Sequence, residues 1–133
     1  MTAVLVSSTA ASAATSVTCK KLTGTITGNF TVTKCKPKVK KGADKSASGA
    51  SSSLASGSGT LTWQKSGQTT IVSLSVASPG QGACPSGSTE YDVTGSVTGG
   101  TSTYTHSGDT VSGKACVTGS GNISLVKKTS ITF

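Results

Sequence analysis

Arginine is absent from this 133-residue chain, and twelve lysines supply all of its positive side-chain charge. Without guanidinium groups there is no fork to clamp a phosphate or carboxylate through two parallel hydrogen bonds, so sites built on that geometry are excluded. Aromatic residues make up 4% of the chain and hydrophobic residues 33%. So little apolar surface makes a thin core, and it leaves too few rings to stack the bases of a single-stranded nucleic acid. One histidine, His106, and four acids, Asp44, Glu90, Asp92 and Asp109, leave few groups for acid–base or metal chemistry. No Cys-x-x-Cys pair occurs, no glycine-rich loop leads into a helix, and no later apolar run is long enough to span a bilayer. No metal, no cofactor, no transmembrane segment and no sequence-specific nucleic-acid partner is therefore expected.

The few chemistry-bearing residues read as ordinary surface. His106-Ser107-Gly108-Asp109 sets a base beside a serine and an acid. A catalytic triad needs its members converging in space around an oxyanion hole, whereas neighbours in one segment read as a solvated turn. Glu90 and Asp92 share one strand face, opposite the apolar Tyr91 and Val93, and read as surface acids. No enzymatic site is expected.

What the chain does contain is Ser, Thr and Gly in quantity, together with four cysteines, Cys19, Cys35, Cys84 and Cys116. An even cysteine count in a small domain points to disulfides and to an oxidising compartment. The opening residues MTAVLVSSTAASA read as the end of a secretory signal, with Val4, Leu5 and Val6 as its apolar remnant and Ala11-Ser12-Ala13 as the cleavage motif. The basic region that normally opens such a signal is missing, so residues 1–13 read as a truncated signal remnant and 14–133 as one secreted β domain.

Strand signals are dense and helix signals nearly absent. Val17 to Ile26 and Phe30 to Cys35 form a hairpin turning at Thr27-Gly28-Asn29; centring the turn on Thr27 sets Leu22 opposite Val32 and Cys19 opposite Cys35. A bulge near Lys20-Lys21 would let Cys19 and Leu22 face the same side. Gly42 to Gly59 has no periodicity and reads as a flexible Ser/Gly-rich loop. Thr60–Gln64 and Thr69–Ala77 form a second hairpin, with Leu61 and Trp63, then Val72, Leu74 and Val76, facing inward. Glu90–Thr98, Thr101–Thr105, Thr110–Thr118, Ile123–Val126 and Ser130–Phe133 follow. Eight or nine short antiparallel strands make an all-β fold, either an immunoglobulin-like β-sandwich or a small barrel. Of three possible cysteine pairings, Cys19–Cys35 with Cys84–Cys116 is preferred; the others would tie the first hairpin to the second half of the chain.

Two groups of residues are candidates for binding. Lys34, Lys36, Lys38 and Lys40 alternate, followed by Lys41 and Lys45. In an extended strand the even-numbered lysines lie on one face about 6.7 Å apart, where they could attract an anionic polymer or guard a sheet edge. Trp63, Tyr91 and Tyr104 could form the wall of a small apolar site.

The framework Ser16-Val17-Thr18-Cys19, Leu22-Thr23-Gly24, Cys35 and Gly59-Thr60-Leu61-Thr62-Trp63, continued by Gly95-Ser96-Val97-Thr98-Gly99-Gly100 and Ala115-Cys116-Val117, resembles the small secreted, uncharacterised proteins of actinobacteria. That resemblance implies an exported all-β fold and carries over no catalytic residue. In size, Thr/Gly/Ser bias and cysteine number the chain is also similar to the apoprotein family of the enediyne antibiotics, which implies an immunoglobulin-like sandwich with a ligand cleft. It departs from that family in cysteine spacing and in its basic charge. The expected function is a secreted or cell-surface, monomeric, non-catalytic binding module attracted to anionic envelope polymers through the lysines. The alternatives are a carrier of small hydrophobic ligands and a structural surface protein.

Overall fold

A computed structural model describes residues 17–37 and 45–133. The expected signal remnant and Lys38, Lys40 and Lys41 lie outside the described residues. Among the described residues nine strands follow in order: β1 (Val17–Thr25), β2 (Asn29–Pro37), β3 (Ala47–Ala50), β4 (Ser58–Trp63), β5 (Thr69–Gly80), β6 (Thr89–Gly99), β7 (Thr110–Val117), β8 (Asn122–Leu125) and β9 (Ile131–Thr132). One short helix, α1 (Ser52–Ser56), joins β3 to β4.

Each of β1 to β7 pairs antiparallel with its successor, and β8 pairs back onto β1, so the sheet closes into an eight-stranded up-and-down barrel. Of the two all-β architectures expected, the closed barrel is the one that forms. β9 is the additional strand. It runs below β8 in the same gap, pairing with the lower part of β1 on one side and with β7 on the other. The break between β8 and β9 is a detour in which the Val126 N–H bonds the Lys114 carbonyl at 2.9 Å and Lys128 turns left-handed at φ 65°.

Alternation decides which side chains fill the barrel. Val72 on β5, Val93 and Val97 on β6, and Val111, Ala115 and Val117 on β7 all point inward and are buried. The intervening Ser73, Thr94, Ser112 and Lys114 are exposed. This apolar-in, polar-out pattern is the reverse of a barrel whose outer face meets lipid. No helix among the described residues is long and apolar enough to cross a membrane. Gly95 marks a close approach: a Cβ there would run into the Ser73 carbonyl of β5.

The first hairpin keeps the expected register, with Leu22 opposite Val32 and Cys19 opposite Cys35. Both expected disulfides are present, Cys19–Cys35 and Cys84–Cys116. The inward parity does switch between Cys19 and Leu22, but without an extra residue. β1 and β2 switch together, and Lys34 takes a left-handed φ of 54° to do it.

Two stretches come out differently from the expectation. Gly42 to Gly59 reads as a flexible loop, yet it contains β3, α1 and the start of β4. Its small residues fit a crowded place: a Cβ on Gly49 would lie 3.2 Å from the Phe30 ring. Conversely, Thr101–Thr105 is not a strand but part of a connection folded across the end of the barrel.

Candidate functional site

The two ends of the barrel differ, and the difference locates the site. At the lower end, where β4 stops and β5 starts, Trp63 and Thr70 point inward and are fully buried. The Trp63 indole N–H donates to Thr70 Oγ1 at 2.9 Å, and that hydroxyl lies 2.7 Å from Thr105 Oγ1 in the β6–β7 connection. Tyr104 meets Trp63 edge-on, with centroids 6.2 Å apart. Within the connection the Asp109 carboxylate accepts the His106 backbone N–H at 2.8 Å. Ser107 Oγ reaches toward the Thr98 carbonyl at 3.5 Å. These residues therefore shape a turn, as their adjacency implied, but not a wholly solvated one: Asp109 is buried where the turn closes the end.

At the upper end the same strands leave an opening. Val76 on β5, Tyr91 on β6 and Val117 on β7 face inward around a recess of about 360 Å³. Ile26 from the β1–β2 turn and Leu54 and Ser52 of α1 form its rim. Ile26 is 49% exposed and Val76 36%, so two of the three exposed large hydrophobic residues among the described residues line this one opening. Scattered singly, such residues would need no explanation; here they gather at one concave mouth.

α1 is held over the rim by Ser51, whose hydroxyl donates to the Thr25 carbonyl at 2.6 Å and whose N–H bonds the Gly28 carbonyl. Gly57 ends the helix in a left-handed conformation, returning its N–H to the Ser53 carbonyl. Deeper inside, between Phe30, Leu61, Val72, Val111 and Phe133, lies a cavity of about 30 Å³. Its apolar lining offers water no partners.

The mouth is open because the long β5–β6 connection does not cross it. Residues 81–88 fold onto the outer wall instead. There Cys84 is joined to Cys116 on β7, and the Ala83 N–H bonds Glu90 Oε1 at 2.8 Å. Cys84, Cys116 and Val126 form a small apolar cluster separate from the main core. Glu90, read from sequence as a surface acid, is consequently only 4% exposed. It does face away from the barrel interior, but the connection covers it.

Beside it, Asp92 Oδ1 is enclosed and has no hydrogen-bond donor. Asp92 is held above its ordinary value by the hydrogen bond to Glu90, by burial and by the Glu90 charge. Glu90 is held below its own value by the hydrogen bond from Asp92, then by the Ala83 N–H and by Lys114. The Lys114 ammonium lies 3.7 Å from Glu90 and 3.6 Å from Asp92.

The aromatic residues expected to form one wall are divided between the ends. Trp63 and Tyr104 belong to the closed end, whereas Tyr91 lines the mouth at the other end. Sequence reading missed Ile26 and Leu54 as rim residues; their only signal was being the large apolar side chain in an otherwise polar turn or tract. Among the expected lysines, Lys34, Lys36 and Lys45 are exposed near the lower end, away from the mouth. Among the described residues no group of three or more His, Cys, Asp or Glu is placed to hold a metal ion.

No family model, no curated protein and no solved structure matches the chain.

Proposed function

We propose that this is a secreted, non-catalytic binding protein that takes a small apolar molecule into the open mouth of its barrel. One observation carries the reading. An apolar recess of about 360 Å³, with Ile26 and Val76 exposed to solvent in it, sits at one end of a barrel whose other end is sealed. An eight-stranded barrel is just wide enough to be filled by side chains or to hold one small ligand, and this volume is at the small end of ordinary ligand pockets, about 300–1,000 Å³. The ligand class is a compact ring or short alkyl group lying between Tyr91, Val76 and Val117, with at most one polar group at the Ser52 rim. Export is supported by the two disulfides, which persist in oxidising compartments.

The test is a titration with a small environment-sensitive apolar dye, at low and at high salt. One-to-one binding indifferent to salt is expected, weakened at least tenfold by Val76→Asp. Equal binding by the wild type and the Val76→Asp variant would remove the mouth as the site. Trp63 fluorescence is the wrong reporter, because that ring is buried at the far end.

A further inference from the structure

The closed barrel gathers lysines that the sequence keeps apart. Cys19 lies opposite Cys35 and Lys21 opposite Thr33, which brings Lys20 beside Lys34 and sets Lys36 next to Thr18. The parity switch that turns both Cys19 and Leu22 inward turns both Lys20 and Lys21 outward, and all four of these lysines are exposed. Lys45, exposed as well, joins from the other side, its carbonyl accepting the Cys35 N–H at 3.0 Å. Five ammonium groups thus stand on the lower flank of β1, β2 and the approach to β3. Neighbouring strands are about 4.8 Å apart, and alternate residues along a strand about 6.7 Å.

Nothing acidic among the described residues balances them. Glu90 and Asp92 sit on β6, four staves from β2 and so on the opposite side of an eight-stave ring, where they pair with Lys114. Asp109 is buried at the foot of β7. Among the described residues these five lysines therefore stand with no acid beside them. Guarding a free strand edge does not account for the flank. β2 bonds β1 along nearly its whole length, β3 covers Asn29–Val32, and the Lys45 carbonyl takes the Cys35 N–H below that.

We infer that this flank is a docking strip for a linear polyanion with a regular phosphate repeat. Lysines act as point charges that accept a phosphate from any direction, which suits a flexible chain better than one fixed anion. No aromatic residue stands among these lysines to stack a base. Among the described residues the exposed large hydrophobic side chains are Ile26, Ile71 and Val76, none of them beside these five lysines. The mouth is at the other end, so docking leaves it open. The inference is independent of the mouth's ligand.

The experiment measures binding of linear polyphosphate across a salt series. If the five lysines are neutralised, the log–log slope of affinity against salt is expected near about −3.5. The variant Lys20→Gln/Lys21→Gln/Lys34→Asn/Lys36→Gln, with asparagine chosen because it tolerates a left-handed backbone, should lose at least tenfold in affinity and flatten the slope by about 3. Its melting temperature should stay within a few degrees of wild type, which shows that the barrel is intact. Unchanged polyphosphate binding in this variant overturns the assignment, as does no binding at low salt. Stronger binding to phosphatidylglycerol vesicles than to polyphosphate at equal phosphate also overturns it, in favour of a membrane.

Discussion

Each end of this barrel has a long connection and an inward-facing tyrosine, yet one end is shut and the other open. At the lower end residues 100–109 fold inward, and Thr105 completes the buried chain through Thr70 to the Trp63 indole. At the upper end residues 81–88 fold outward and are fixed to the outer wall by Cys84–Cys116 and by Glu90. Tyr104 therefore packs on Trp63, while Tyr91 is left lining a recess. Where a connection is tethered decides whether the strands beneath it become core or line an open recess. The same alternating pattern serves both.

The sharpest way to break that contrast is to truncate the aromatic residue at each end. Trp63→Ala is expected to cost about 3–5 kcal/mol in a urea titration, because it opens a cavity and strips Thr70 of its donor. Tyr91→Ala, removing a half-exposed ring, should cost about 1 kcal/mol or less and instead weaken the apolar dye. Equal losses of stability would mean that the two ends are equally packed.

Next in size is the outer tether. Cys84 and Cys116 are 32 residues apart, and replacing both by alanine should cost about 3–4 kcal/mol on the chain-entropy account. Freed residues 81–88 should also alter dye affinity at the mouth. A variant that loses stability and keeps the wild-type affinity would separate the tether from the opening.

A smaller effect is expected at the sealed end. Thr105→Val removes one partner of the buried hydroxyl pair and should cost about 1–2 kcal/mol in the same urea titration, with dye binding unchanged.

The smallest effect concerns the shape of the pH profile. Asp92 is raised in the folded state above its ordinary 3.8, so its contribution is fully present below that value and is lost as pH rises through the raised one. Glu90 is lowered from 4.5, so its contribution is present above that value and is lost as pH falls through the lowered one. Asp92→Asn keeps a donor for Glu90 and carries no second charge. It should abolish the decline on the alkaline side of the Asp92 titration and leave the acid limb in place, as read by melting temperature against pH. An unchanged alkaline limb would show that the two carboxyls do not share a proton.

Much of this was legible where side chains alternate cleanly. Val72, Leu74 and Val76 announce a half-buried strand, and a turn centred on Thr27 fixes both the first hairpin and its disulfide. What escaped were features that neighbours impose. Ala47–Ala50 has little intrinsic preference for a strand, and it becomes one because β2 and β4 offer it hydrogen-bond partners on both sides. Thr101–Thr105 has a strand's composition, but its hydroxyls bond to the start of β5, as in Thr101 Oγ1 accepting the Thr69 N–H at 2.9 Å. Glu90 faces outward as alternation requires; only the fold of residues 81–88 makes outward mean covered. The recess draws on five separate segments, so no local pattern could bring Ile26 and Leu54 to Tyr91.

The most direct measurement is a methyl and aromatic NMR titration of the oxidised protein with a small apolar ring compound. Saturating one-to-one shifts at Ile26, Leu54, Val76, Tyr91 and Val117, with Trp63 and Tyr104 unmoved, are the expected result. Shifts centred on Trp63 and Tyr104, or none at the mouth at saturating concentration, would contradict the assignment of the open end as the binding site.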